Sequence, residues 1–421
     1  MPELPADLPA GRLDGRFARL WAAGTTSALG SGLATVAAPL LVASRTDDPL
    51  TVSATAAVSW LPWLLFALPG GVLVDRVDRR RLMIAIDVAR VVVVAILALV
   101  IATGRVGIPL LFAALFVVST GEVVFRSASQ ALLPAVVPRP LLERANGWLF
   151  GGTTVAQQLV AGPLGGFLFL LAASIPFWVN AGTYAASAVL ITLVAGVYRA
   201  TATPASTGPL PRRSVRREVA EGFHWLRSQR LLRTMAVLIG LLNVTLTAAV
   251  AVLVLVADQR LGLGSVGYGL LFTALALGGL VGALVGDRVV ARVSASWTIR
   301  IGLLIEALTH LVLATSRNGV VVGAMLCAFG VHGALWGLVA SSLRQRLTPP
   351  HMLGRVGSTT LFVAAGGNCV GALLGGVLAD RFGLTAPYWV GFVVAVVVSA
   401  ATWRVFDRAT VGAAYATPAP S

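Results

Sequence analysis

The chain has 421 residues, 57% of them hydrophobic and only 12% charged, with a net charge of +15. A soluble chain carries about 25% charged residues, so soluble domains of this total length are excluded, and the hydrophobicity excludes disorder. The two cysteines, Cys327 and Cys369, lie in apolar runs and exclude a disulfide scaffold; what remains is an all-α polytopic membrane protein.

Residues 1–18 read as a tail without a signal-peptide pattern, because the first apolar run is too long and starts too late. A membrane-crossing helix needs about 20 mostly apolar residues. The first half, 19–198, holds six such segments: 19–43, 53–74, 83–103, 107–128, 145–171 and 174–197. A linker, 199–231, begins with a Pro/Ser/Thr stretch and continues as an amphipathic helix from Ser214 to Gln229. Val215, Val219, Phe223 and Leu226 share one face of it, as in a helix lying at the headgroups or a plain connector. The second half, 232–405, predicts six more spans at 232–257, 266–286, 298–316, 319–341, 355–379 and 384–404, followed by a tail, 406–421. Backbone inside a bilayer must satisfy its own hydrogen bonds, so these are twelve helices. The alternation of a membrane barrel is absent.

All 32 basic residues are arginine. As a total, this leaves both nucleic acid and a membrane surface open. By position, 25 fall in the tails and loops on the side of the termini, 5 in the opposite loops, and Arg90 and Arg126 within spans. That asymmetry places both termini in the cytoplasm and makes a nucleic-acid partner unnecessary.

The halves repeat. Asp75-Arg76 has a counterpart in Asp287-Arg288, Pro138 in Pro349, Leu164-Gly165-Gly166 in Leu374-Gly375-Gly376, and Pro176-Phe177-Trp178 in Pro387-Tyr388-Trp389, all at offsets of 210–212 residues. Two parallel six-helix repeats about an axis along the membrane normal are an architecture of secondary transporters.

Three stretches carry a family resemblance. Gly71-Val-Leu-Val-Asp75-Arg76-Val-Asp78-Arg79-Arg80-Arg81 resembles the loop signature of the major facilitator superfamily, with Asp78 where a glycine is usual. Phe125 to Pro134 resembles the end of span four in its enterobactin-exporter and macrolide-efflux branch. Gly162-Pro163-Leu164-Gly165-Gly166 resembles the tail of an antiporter signature whose upstream glycine is Gln158 here. The resemblance implies two pseudo-symmetric halves, alternating access and a gate at the loop: Gly71, Asp75, Arg76, Asp78, Arg79 and Arg80, with Asp287-Arg288 as a weaker copy. It also implies that spans one, four, seven and ten line a central cavity.

Charges within spans need a partner or a function. Asp87 and Arg90 are three apart, Glu122 and Arg126 four apart, and Glu306 and His310 four apart, spacings that place each pair on one helix face. Each pair reads either as self-neutralising or as a proton-coupling group. Glu122 leads the second reading because the resemblance puts span four at the cavity. Thr25 and Ser31 in span one, Asn243 and Thr247 in span seven, and His332 and Trp336 in span ten are candidate cavity residues or, alternatively, helix-packing contacts.

No Lys means no Gly-x-x-x-x-Gly-Lys phosphate loop, and no metal or dinucleotide motif is present. The expectation is a non-enzymatic, cofactor-free, monomeric plasma-membrane transporter that exchanges protons for an amphipathic small molecule moving outward. An importer of a small nutrient is the alternative, and a non-transporting sensor a remote one.

Overall fold

The computed structural model describes residues 13–196, 198, 215–349, 352–407 and 409–412. Among the described residues, regular structure is helical and no strand occurs. The first half contains α1 (Gly15–Ala43), α2 (Pro49–Arg76), α3 (Arg79–Ala102), α4 (Ile108–Val136), α5 (Leu142–Thr154), α6 (Ala161–Leu171) and α7 (Ile175–Thr192). After α8 (Val215–Ser228), the second contains α9 (Arg230–Ala251), α10 (Leu253–Gln259), α11 (Ser265–Val293), α12 (Ala295–Thr315), α13 (Gly319–Leu347), α14 (Leu353–Phe382) and α15 (Ala386–Thr402).

A π-helical segment, Val155–Val160, joins α5 and α6 into one span. A break at Val252 divides another span into α9 and α10. Among the described residues, ten helical spans are long and apolar enough to cross a membrane. The apolar α7 and α15, of 18 and 17 residues, fall at the two remaining expected segments and are shorter.

Local chemistry sets where these helices start. Asp14, Asp48, Asp78 and Asn318 accept amide hydrogen bonds at the first turns of α1, α2, α3 and α13. The Thr51 hydroxyl and the amides of Thr51 and Leu50 donate to Asp48 and hold its carboxyl below the usual range. Proline opens α2, α4, α7 and α15, where a missing N–H costs nothing.

The two halves use the same pairing. In the first, α1 packs on α6 and α7, α3 on α4 and α7, and α2 on α4. In the second, α9 packs on α14 and α15, α12 on α13 and α15, and α11 on α13. The halves meet through α2 with α14 and α6 with α11, a pair that exchanges with itself under the same two-fold relation.

Packing between halves is concentrated at the end away from the termini. One cluster there joins Val36–Val42 and Leu97–Ile101 of the first half to Val252–Ala257, Leu271 and Leu326 of the second. At the terminus-bearing end, among the described residues, each cluster draws on one half only: Phe17, Met83, Leu132 and Tyr198 in one, Met235, Ile299, Val339 and Phe406 in another. Among the described residues, the apolar packing shared by the halves therefore lies at the far end.

Two expectations about the loops change. Asp287 and Arg288 are exposed residues inside α11, not part of a turn, because the apolar helix continues to Val293. Asp75 and Arg76 likewise form the last turn of α2, and the turn itself is Val77-Asp78. The amphipathic helix forms as α8. Leu226 is buried against Leu232, Ala236, Met352 and Val356, whereas Phe223 is exposed; the side chains of Val215 and Val219 and all of Ser214 lie outside the described residues.

Candidate functional site

Each half encloses a buried polar cluster. In the first, Arg90 of α3 is 1% exposed and its Nη1 lies 3.3 Å from the Asp87 carboxylate, itself fully buried. The same nitrogen donates to Ser27 Oγ of α1 at 3.2 Å. The guanidinium also stands over the rings of Tyr184 on α7 and Phe125 on α4, at 4.9 and 5.6 Å. Tyr184 and Ser31 share a hydrogen bond of 3.1 Å. A lone charge in the hydrocarbon region costs about 2.5–3.5 kcal/mol on insertion scales; the carboxylate, hydroxyl and aromatic faces together offset that cost. Gly121 makes the room, since a Cβ there would stand 2.6 Å from Arg90 Nε.

Glu122, next to that glycine, is half-buried. The expected Glu122–Arg126 pair does not form. Arg126 is exposed and places its guanidinium 5.7 Å from the Trp63 ring of α2. Helical spacing brought the two residues to one face, but an aromatic face on a neighbouring helix took the cation.

The second cluster is Glu306 and His310 of α12 with His332 of α13. His310 Nε2 lies 3.6 Å from Glu306 Oε1 and His332 Nε2 3.7 Å from Oε2, with all three side chains no more than 5% exposed. Phe329 and Trp336 meet the His332 ring edge-on at 5.8 and 6.3 Å. His332 is thus not a cavity-lining residue beside Trp336; its polar edge turns inward to the carboxylate. The sequence showed the Glu306–His310 spacing, but nothing in it linked a histidine on the next helix.

The other polar candidates divide by environment. Thr25 lines a cavity of about 760 Å³ between α1 and the α5–π segment, with Trp21, Arg144, Trp148 and Val160. Trp21 donates to the Trp148 carbonyl at 2.9 Å and meets its ring edge-on. Ser31 is committed to Tyr184, and Thr247 donates to Asn368 Oδ1 of α14 at 2.8 Å. Asn243 is half-buried on α9.

The antiporter-like glycines are contact points. Gly162 faces the backbone of α11, where a Cβ would stand 2.8 Å from the Gly269 carbonyl oxygen; Gly166 faces the Ser265 carbonyl and Gly165 faces Val36. Pro163, half-buried, sits between them. The loop after α2 is tied within its own half. Asp78 accepts the amides of Arg81 and Tyr198, each at 2.8 Å, and Arg80 donates to the Thr192 and Ile191 carbonyls at the end of α7. Arg76 is exposed, and Arg79 donates its amide to the Tyr198 carbonyl at 3.2 Å. The surroundings of Gly71 and the side chain of Asp75 lie outside the described residues.

Residues 12–415 match the family model described as transmembrane secretion effector. The chain belongs to this family of the major facilitator superfamily. It is a multi-pass membrane transporter, not an enzyme. Among relatives, it is 26% identical to multidrug efflux pump Tap of Mycolicibacterium fortuitum, over 87% of this chain and 90% of that protein. It is 23% identical to macrolide efflux protein A of Streptococcus pyogenes, over 88% and 90% respectively. A crystal structure of a bacterial homologue of the iron transporter ferroportin in an inward-facing state superposes with a TM-score of 0.71 at 17% identity, over 94% of this chain and 99% of that one. That likeness concerns the fold. In the terms of this superfamily, the glycine seam of α6 and α11 and the α2–α14 contact form the interface between its two halves.

Proposed function

We propose that this transporter exports amphipathic, largely apolar small molecules from the cell, in exchange for protons, by alternating access. The observation that carries the reading is the pairing of efflux relatives over most of the chain with ionisable groups buried in both halves. Relatives named as multidrug and macrolide efflux proteins support export across the plasma membrane. The excess of arginine beside the termini supports a cytoplasmic terminus-bearing face, and with that orientation the packing shared by the halves lies at the outward face. Residues 19–198 and 232–405 are the moving halves, 199–231 is the linker, and the protein works as a monomer.

The cavity between α1 and α5 supports the substrate class. Its walls are Trp21, Trp148, Leu29 and Val160, with Thr25 as a polar point and Arg144 at its edge, and its volume suits a drug-sized ligand. Glu122 is the coupling carboxylate of the first half: it is half-buried, lacks an ion pair with Arg126 and stands next to the Arg90 cluster. Asp75 and its loop arginines bias the two arrangements of the halves.

The test is a drug-susceptibility panel with and without expression, followed by solute movement in vesicles under an imposed pH gradient. Expression is expected to raise resistance to apolar amphiphiles, and the gradient is expected to drive their movement. No response of the wild type to the gradient overturns the exchange mechanism, and unchanged coupling in Glu122→Gln overturns the role of that residue.

A further inference from the structure

Glu306, His310 and His332 differ from the other buried cluster in one chemical respect. In the first half the cation is Arg90, which does not lose its proton in a protein. Protonating Asp87 would leave a buried, unpaired guanidinium. Every member of the second cluster can gain or lose a proton, so it has no fixed charge to strand.

The surroundings keep it so. Helix α12 packs on α11, α13 and α15, and its cluster with α9 includes Ile299 and Leu303. Among the described residues, the charged groups of these helices are Arg230 and Arg233 on α9, Asp287, Arg288 and Arg292 on α11, Arg300 on α12, and Arg344 and Arg346 on α13, all toward the terminus-bearing end. Arg300 is held there between Trp297 and Trp403. Tyr268 and Tyr388 lie at the far end, in the cluster that joins the halves. Cys327 is on α13, with its backbone against Gly278 of α11.

The site is also built to hold two imidazoles. A Cβ at Gly302 would collide with the His332 ring, and one at Gly391 of α15 would stand 2.5 Å from His310 Cε1 and Nδ1. Yet Glu306 Oε1 and His310 Nδ1 have no hydrogen-bond partner. Buried polar atoms are ordinarily satisfied, so the cluster has unused capacity for a proton. The three side chains do not form a metal-holding group.

We propose that Glu306, His310 and His332 form a second proton-binding site, a relay in which one carboxylate shares a proton with two imidazoles on opposite oxygens. With one proton in excess of a bare carboxylate and two neutral rings, the cluster is neutral. That proton can sit on His310, on Glu306 or on His332 with the same net charge. It therefore passes from α13 to the α15 side of α12 without changing the net charge of the cluster. It enters from solvent at one face and is released at the other as the halves exchange arrangements. The use of this relay in transport rests on the proton-exchange reading above; the proton-binding site itself does not.

Infrared difference spectra of the full-length protein in lipid vesicles, taken between about pH 5 and pH 8, read the carboxylate and imidazole bands together. A shift of the carboxylate band as an imidazole gains a proton is expected in the wild type, is expected to be lost in Glu306→Gln, and is expected to move its midpoint by about one pH unit or more in His310→Gln and His332→Gln. The same shift in wild type and Glu306→Gln, or a midpoint indifferent to both histidine variants, overturns the site. A wild type that shows the shift but ignores a pH gradient in the transport assay refutes the exchange reading and leaves the site standing. Retained gradient-driven transport in all three variants refutes the relay's part in coupling.

Discussion

Asp87 and Arg90 lie where no water can replace a lost partner. Asp87→Asn should therefore leave a buried guanidinium uncompensated and destabilise the protein by about 3–5 kcal/mol. The double variant Asp87→Asn with Arg90→Gln should cost clearly less than the two single changes together, because removing both charges removes the penalty. Thermal unfolding in detergent checks both, and additive losses would show that the two residues do not act as a pair. The spacing of this pair was readable in the sequence because both members belong to one helix. The failure of Glu122–Arg126 was not, because Trp63 on another helix holds Arg126. Gly121→Leu should produce a loss of the same kind, read by the same melt, since its side chain would displace the Arg90 guanidinium.

Between helices in lipid, close approach takes the place of the hydrophobic drive. The glycines of α6 illustrate it, since Gly162 and Gly166 bring that helix onto the backbone of α11. Gly166→Leu should hold the two helices apart and abolish transport while the protein still reaches the membrane at its normal level. Gly182→Leu on α7, where nothing stands within 4 Å, should leave transport unchanged. Transport alongside membrane abundance distinguishes the two, and equal effects would remove the special role of the seam. Hydropathy located the long apolar helices, because an apolar run of membrane length has few alternatives. It did not place the π-helical segment, which contains Gln157 and Gln158, or the break at Val252, which lies in unbroken apolar sequence without a Pro or Gly to mark it.

Over the whole molecule, the two halves are joined at the far end by packing and by a hydrogen bond from Gln259 to Asp47 of 2.9 Å. One such bond is worth about 0.5–1.5 kcal/mol. Asp47→Ala should therefore loosen the far end and raise the rate at which Cys369 reacts with a thiol reagent several-fold. Cys369 reports this because its sulfur lies 3.9 Å from the Ala57 carbonyl across the α2–α14 contact. The measurement belongs in a Cys327→Ala background, and an unchanged labelling rate would mean the bond does not help join the halves at that end. Composition, hydropathy and the repeat offset sufficed for an all-helical polytopic membrane protein with two related halves, and the motif resemblance for its transporter family, since those properties are written along the chain itself. Which end joins the halves, which charges pair, and that His332 meets Glu306 were decided by tertiary structure. Those contacts join side chains on different helices, and no spacing within one helix encodes which face of the next will meet it.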